Sequence, residues 1–262
     1  HPQIEYQGRI DTSSINAAEL FWSGSSIKIN FEGESITFLL KDETGDNYYN
    51  VIIDDKDFSI LNPDTTKQFY LLASKLSEGS HSIEIFKRTE FARGKTIFYG
   101  FQIGENDKIL AKSPEKKRRI EFYGNSITAG YAIEDLSGRD SPDSIYTNNY
   151  LSYASITARH YDAEYHCICK SGIGITISWF PEIMPEIYNR LNPTDKNSIW
   201  NFTLYQPDIV VVNLFQNDSW LVNRPEREEF KQNFGDSPPN EEYIINAYQE
   251  FVDQIRTHYP HS

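Results

Sequence analysis

The stretch Arg119-Ile120-Glu121-Phe122-Tyr123-Gly124-Asn125-Ser126-Ile127-Thr128-Ala129-Gly130-Tyr131 limits the folds open to this chain more than any other. It begins with the apolar alternation of a strand entering a core and breaks at Gly124. Ser126 sits two residues into the break, and Ile127 to Ala129 open a helix. A serine at such a turn exposes its hydroxyl and points its own N–H at an incoming oxygen. The helix N-terminus there favours developing negative charge. That is the setting of a nucleophilic serine; a helix N-cap is the plainer reading of the same residue. Gly124-x-Ser126-x-Thr128 lacks the second glycine of the G-x-S-x-G elbow of α/β-hydrolases. No Gly-Lys-Ser/Thr follows, so the stretch is not a phosphate-binding P-loop.

The pattern differs on the two sides of this region. Residues 1–112 read as all-β, with runs at Ile27–Phe31, Ile36–Phe38, Tyr49–Ile53, Phe69–Leu72, Ile83–Phe86 and Ile97–Ile103. Turn signals separate them, among them Asp54-Asp55-Lys56 and Ser77-Glu78-Gly79-Ser80. Short strands so spaced predict a β-sandwich or jelly roll. Trp22, Tyr48 and Tyr49 have the chemistry to stack on sugar rings, although core packing is the simpler expectation. Asn106 to Lys117, polar and containing Pro114, reads as a linker. From residue 117 to 262 strands and helices alternate: Ile120–Tyr123 as strand, Asn149–Tyr161 as helix, Glu164–Cys169 as strand. Pro207–Leu214 has the continuous apolar run of a parallel strand buried on both faces. Ile244, Ala247, Tyr248, Phe251, Val252 and Ile255 form the apolar stripe of a last helix, started by Pro239-Asn240. An open α/β sheet follows, whose sites lie at the carboxyl ends of its strands.

Those ends carry chemistry in order. The first leads to Ser126, the second to Ser171-Gly172-Ile173-Gly174, and the third to Phe215-Gln216-Asn217-Asp218-Ser219-Trp220. A hydroxyl, a glycine N–H and a side-chain amide are the groups acyl transfer needs. A net charge of −13 argues against nucleic acid and anionic membranes as partners. No apolar run approaches the roughly 20 residues of a membrane span. Cys167 and Cys169, two apart on a strand, are poorly placed for a disulfide and read as buried thiols. His166 beside them has no second cluster to complete a metal site, so neither metal nor organic cofactor is expected.

The three loops resemble the blocks of the SGNH, or GDSL, hydrolases, with Gly124-Asn125-Ser126 as the first, Gly172 in the second and Asn217-Asp218 in the third. The chain is most similar to the carbohydrate esterases of family two. Tyr6-Gln7-Gly8-Arg9, Gly79-Ser80-His81, Lys87-Arg88-Thr89-Glu90 and Gly130-Tyr131 extend the resemblance over nearly its whole length. The resemblance implies an N-terminal jelly roll followed by a flavodoxin-like three-layer α/β/α SGNH domain. It implies that Ser126 is the nucleophile, that Gly172 and Asn217 complete the oxyanion hole, and that Trp179 and Trp220 line the substrate cleft, core packing being their alternative. The expected activity is removal of O-acetyl groups from polysaccharide or oligosaccharide, as in acetylxylan esterases, without a cofactor. The substrate class in turn implies a secreted or periplasmic location. A binding protein that kept the cleft and lost catalysis is the alternative.

Three departures bear on that expectation. Asn125 stands for the usual Asp, and Phe215 for the usual Gly of the third block. The third is the base. SGNH hydrolases take it from a late histidine in Asp-x-x-His or His-Pro context, whereas Asp253 lies five residues before His258. His258 and His261 follow the last helix where a next strand is due, and His160 and His166 fall inside elements. The expectation is a domain incomplete at its C-terminus, with the catalytic histidine beyond residue 262 and activity impaired in these residues alone.

Overall fold

The computed structural model describes residues 2–262. The first part consists of β1 (Glu5–Gln7), β2 (Ile10–Asp11), β3 (Ala18–Leu20), β4 (Ser26–Glu32), β5 (Ile36–Asp42) and β6 (Tyr49–Ile53). It continues through β7 (Asp57–Leu61), β8 (Gln68–Ala73), β9 (Ser80–Lys87), β10 (Thr96–Ile103) and β11 (Lys108–Ile109). One antiparallel sheet runs β1-β4-β9-β6-β7 with β11 beside β4; the other runs β2-β3-β10-β5-β8. Alternation fixes which face turns inward. Ile27, Ile29 and Phe31 of β4 meet Ile36, Phe38 and Leu40 of β5 in one apolar cluster between the sheets. Trp22 and Tyr49 are buried, as core packing required.

Two expectations change here. β7 was not foreseen: Asp54 and Asp55, at φ +53° and +57°, turn the chain back on β6, and Asp57 to Ile60 stay exposed. The stretch Asn106 to Lys117 is also fastened down. β11 pairs with β4, the Asn30 amide donates to the Ala111 carbonyl at 2.9 Å, and Ser113 N–H donates to Glu5 at 2.8 Å.

The second part contains β12 (Arg118–Gly124), α1 (Ser126–Ala129), α2 (Tyr153–His160), β13 (Ala163–Cys169) and α3 (Met184–Ile187). It ends with β14 (Ile209–Asn213), α4 (Gln216–Leu221), α5 (Glu228–Phe234) and α6 (Glu241–His258). The sheet order is β13-β12-β14, all parallel, so the whole is a mixed α/β fold. Gly124 pairs in register with Cys169 and with Asn213, which brings all three strands to one edge together. The expected helix over Asn149–Tyr161 splits: Asn149–Leu151 form a 3₁₀ turn, and Ser152 then caps α2 by accepting from Ser155 N–H. α6 starts where expected, capped by Asn240. β14 is not buried on both faces: Ile209 is exposed and the strand is otherwise half-buried at the sheet edge. Its Val-rich composition reports strand propensity, which an edge strand shares with a central one.

Both faces of β12 are covered partly by the antiparallel half. Ile120 and Phe122 pack with Ile52 and Phe86, while Tyr123 belongs to a cluster with Phe21, Trp22 and Phe91. On the Tyr123 side the Arg9 guanidinium is 1% exposed and Glu121 0%. Arg9 donates to Glu121 at 3.1 Å, Tyr123 Oη at 3.0 Å, Tyr188 O at 2.5 Å and Arg190 O at 3.2 Å. Burial alone would raise the Glu121 carboxyl; the Arg9 charge and the nearby His166 ring outweigh it and hold the group at about 2.

Removing one member of this pair leaves the other as an uncompensated buried charge, so Glu121→Gln is expected to cost about 3–5 kcal/mol. Because the folded pKa lies below the ordinary 4.5, the pair's contribution is present above about pH 4.5 and is lost as pH falls toward 2. Chemical denaturation of wild type and Glu121→Gln over pH 2 to 6 should show the gap between them closing at the acid end.

Candidate functional site

The site begins where β12 ends. A Cβ on Gly124 would lie 1.9 Å from Thr128 Oγ1, because α1 folds straight back over the strand end; only glycine fits. Asn125 is the N-cap, its Oδ1 accepting from Ile127 N–H at 3.1 Å. That places Ser126 first in α1, half-buried and turned to the edge. Among the described residues its hydroxyl and its N–H make no hydrogen bond.

The Asn125 amide donates to Gln216 Oε1 at 2.6 Å, and Gln216 Nε2 donates to Asn213 Oδ1 at 2.7 Å. An aspartate at position 125 could not donate that first bond. Asparagine is therefore matched to the Gln216 beside it, and the departure has a partner in this chain.

After β13, Lys170 N–H still donates to Gly124 O at 3.2 Å. Ser171 then gives both its N–H and its Oγ–H to the buried Glu90 carboxylate, each at 2.5 Å. Burial pushes the Glu90 carboxyl up, while those two bonds and the charges of Arg93 and Lys87 pull against that. Gly172 follows at φ +83°, and its N–H makes no hydrogen bond among the described residues. The next turn is held by Asp218, fully buried, which accepts from Ile175, Thr176 and Ile177 N–H and from Thr176 Oγ1.

After β14, α4 presents Asn217. Its amide donates to Ile173 O at 2.8 Å and its Oδ1 accepts from Trp179 Nε1 at 3.2 Å. Each pair of loops is thus joined by a hydrogen bond, through Asn125–Gln216, Lys170–Gly124 and Asn217–Ile173. Ser126, Gly172 and Asn217 come together at one edge of the sheet. Two free N–H groups, an oriented amide and a hydroxyl at one sheet edge are groups of the kind a tetrahedral acyl intermediate requires.

Trp179 and Trp220 stack on one another, with ring centroids 4.9 Å apart and planes 28° apart. They are 38% and 41% exposed, which is too open for core residues. Arg227 lies 4.6 Å from the Trp179 ring and Arg224 4.7 Å from the Trp220 ring. An open depression of about 380 Å³ lies beside Trp220, Glu226, Arg227, Glu228 and Glu229.

Four of the five described histidines are engaged elsewhere, and His261 follows the end of α6. His81 bonds Asp54 and Ser77 O, His166 stacks on Tyr205, His258 stacks on Phe202, and His160 packs against Tyr161. Cys167 and Cys169 are buried free thiols with sulfurs 3.3 Å apart. Local patterning did not single out Glu90, Gln216, Asp218, Arg224 or Arg227. Glu90 reaches its partner across 81 residues, and the family resemblance named Glu90 and Asp218 only as members of matching segments, without a role.

Comparison with known proteins gives the family. Residues 6–114 match the family model described as carbohydrate esterase 2 N-terminal. The chain is 34% identical over 262 residues to a cellulase/esterase, CelE, of Acetivibrio thermocellus, covering 99% of this chain and 30% of that protein. It is 30% identical over 252 residues to an acetylxylan esterase / glucomannan deacetylase of Cellvibrio japonicus, covering 90% of this chain and 64% of that one. The chain therefore spans less than two thirds of either relative. Among solved structures, a family two carbohydrate esterase from Clostridium thermocellum, in complex with cellohexaose, superposes with a TM-score of 0.87 at 32% identity. The match covers 99% of this chain and 75% of that one.

Phe215 shows what its own departure costs. It takes φ +94° and ψ −15°, a conformation suited to glycine, and imposes strain of about 1–2 kcal/mol on a residue with a Cβ. Phe215→Gly and Phe215→Ala lose the same ring but only glycine loses the strain. Thermal or chemical unfolding should find the glycine variant the more stable by about 1 kcal/mol, the reverse of the usual order.

Proposed function

This chain belongs to the family two carbohydrate esterases, and from that membership we propose a serine esterase that removes O-acetyl groups from polysaccharide or oligosaccharide, as acetylxylan esterases do. The observation that supports it best is the unpartnered Ser126 hydroxyl at an edge shared with the free Gly172 N–H and the Asn217 amide. In this reading Ser126 Oγ attacks the acetyl carbonyl. Its own N–H, the Gly172 N–H and the second Asn217 N–H hold the oxyanion, and water then releases acetate.

The remaining expectations fit within this proposal. The antiparallel half, residues 1–112, is read as a jelly roll, and residues 117–262 as a flavodoxin-like SGNH unit. Sugar rings would stack on Trp179 and Trp220, with an open depression alongside for a chain that continues in both directions. Such a polymer lies outside cells, which suggests a secreted or periplasmic protein. The described residues bring no imidazole to Ser126, so turnover at an ordinary rate requires a base from outside them. Without one, only the residual rate of an oxyanion hole remains. A binder with a silent cleft is the second reading, favoured by the same lack of an imidazole.

Acetate release from acetylated xylo-oligosaccharide is the test, run beside Ser126→Ala. Ser126-dependent release is expected, with Ser126→Ala at least 10³-fold slower where a base is supplied. Release equal in the two would exclude Ser126 as nucleophile. Binding of the oligosaccharide without release would leave the binder as the correct reading. Trp179→Ala should weaken oligosaccharide affinity by about 1–3 kcal/mol, measured by calorimetry on Ser126→Ala.

A further inference from the structure

We infer that Glu90, carried by the antiparallel half, is a positioning residue that orients the Gly172 amide for the reaction. The inference rests on the esterase reading of that amide. Gly172 stands between two fixed points. On its C-terminal side, Ile173 O is held by Asn217, Gly172 O accepts from Trp179 N–H at 3.1 Å, and Asp218 holds residues 175–177. On its N-terminal side the last ladder bond is Lys170 N–H to Gly124 O. Between them Ser171 is held by Glu90, through both its N–H and its hydroxyl. The peptide joining Ser171 to Gly172 carries the N–H in question, and φ at Gly172 is +83°, where a glycine is free to swing. Two bonds from one rigid carboxylate remove that freedom.

Glu90 is itself fixed. Its side chain is buried, and its backbone precedes the short 3₁₀ turn Phe91–Arg93, whose Phe91 ring packs edge-on against Trp22 at 5.1 Å. Its carbonyl accepts from the fully buried Lys87 ammonium at 3.3 Å, and Lys87 in turn donates to Asn47 Oδ1 at 2.5 Å and Thr89 O at 2.9 Å. Lys87 is thereby held close to the carboxylate in a buried region, where burial lowers its own pKa to about 7 and the hydrogen bonds to Asn47 and Thr89 fix its place. The segment Lys87-Arg88-Thr89-Glu90 thus acts as a bracket. Arg88 also reaches into the second half, donating to Thr147 O and pairing with Glu134. A carboxylate of one half sets the geometry of a donor in the other.

The experiment compares wild type, Glu90→Gln and Ser171→Ala by kinetics of acetate release and by ¹H–¹⁵N spectra. Glutamine keeps the shape but offers Ser171 one acceptor in place of two. The expected result is a kcat about tenfold lower or more, with KM within about twofold, because the donor matters to the transition state and not to sugar binding. The Gly172 amide resonance should move in both variants while that of Gly130 stays in place. The double variant should lose no more than either single one. If Glu90→Gln does not fold, Ser171→Ala alone should show the same kcat loss and the same resonance shift. An unmoved Gly172 resonance with unchanged kcat in a folded Glu90→Gln protein would overturn the inference. With a base supplied, a wild-type protein that releases no acetate would overturn the esterase reading alone, and the Gly172 resonance would still decide whether Glu90 holds that amide.

Discussion

A guanidinium buried where the antiparallel half meets the parallel sheet governs this structure. Taking Arg9 and Glu121 out of water costs several kcal/mol per ion, and only close geometry offsets it. Arg9 therefore needs every partner it has, and all four, Glu121, Tyr123 and the Tyr188 and Arg190 carbonyls, belong to the other half of the chain. With Trp22 donating to Leu191 O at 2.9 Å and Gln7 accepting from Tyr165 N–H at 3.3 Å, the first strands act as part of the wall of the second unit. The two halves share cores on both faces of β12, so they are expected to unfold together.

That wall matters because the site is built at the end of β12. The turn at Gly124 to Ser126 is closed by α1 on one side and tied to its neighbouring loops by hydrogen bonds on the other. Electrostatic stabilisation of an oxyanion depends on donors that do not have to reorganise during the reaction. Buried carboxylates supply that rigidity here, Asp218 from α4 and Glu90 from the antiparallel half. The strain kept at Phe215 belongs to the same pattern, a local cost retained next to the residue that presents Asn217.

Much of this was legible in the sequence where a signal is local. Alternation gave β4, β5, β6, β8, β9 and β10, and the glycine break after an apolar strand gave the Ser126 turn. The 3.6-residue stripe and its Asn240 cap gave α6. What escaped has physical causes. β7 is exposed on both faces, so burial imposes no pattern on it. Ser152 ended one turn and began another inside a single apolar stripe. Pro207–Leu214 could not reveal that its strand lies at an edge, because neighbours decide that. Arg9–Glu121, Glu90–Ser171 and Asn125–Gln216 join residues 112, 81 and 91 positions apart, and no periodicity records such pairs. Asn125 stood in the sequence only as a departure from the usual Asp, because Gln216, which accepts from its amide, is remote along the chain.

The proposal turns on Ser126 as the attacking group. Incubation with a fluorophosphonate, whose adduct resembles the tetrahedral intermediate, followed by peptide mass spectrometry tests this directly. With a base supplied, a single adduct on Ser126, slowed by acetylated xylo-oligosaccharide, is the predicted result. Under those conditions an unlabelled Ser126, or an adduct on a different residue, would contradict it.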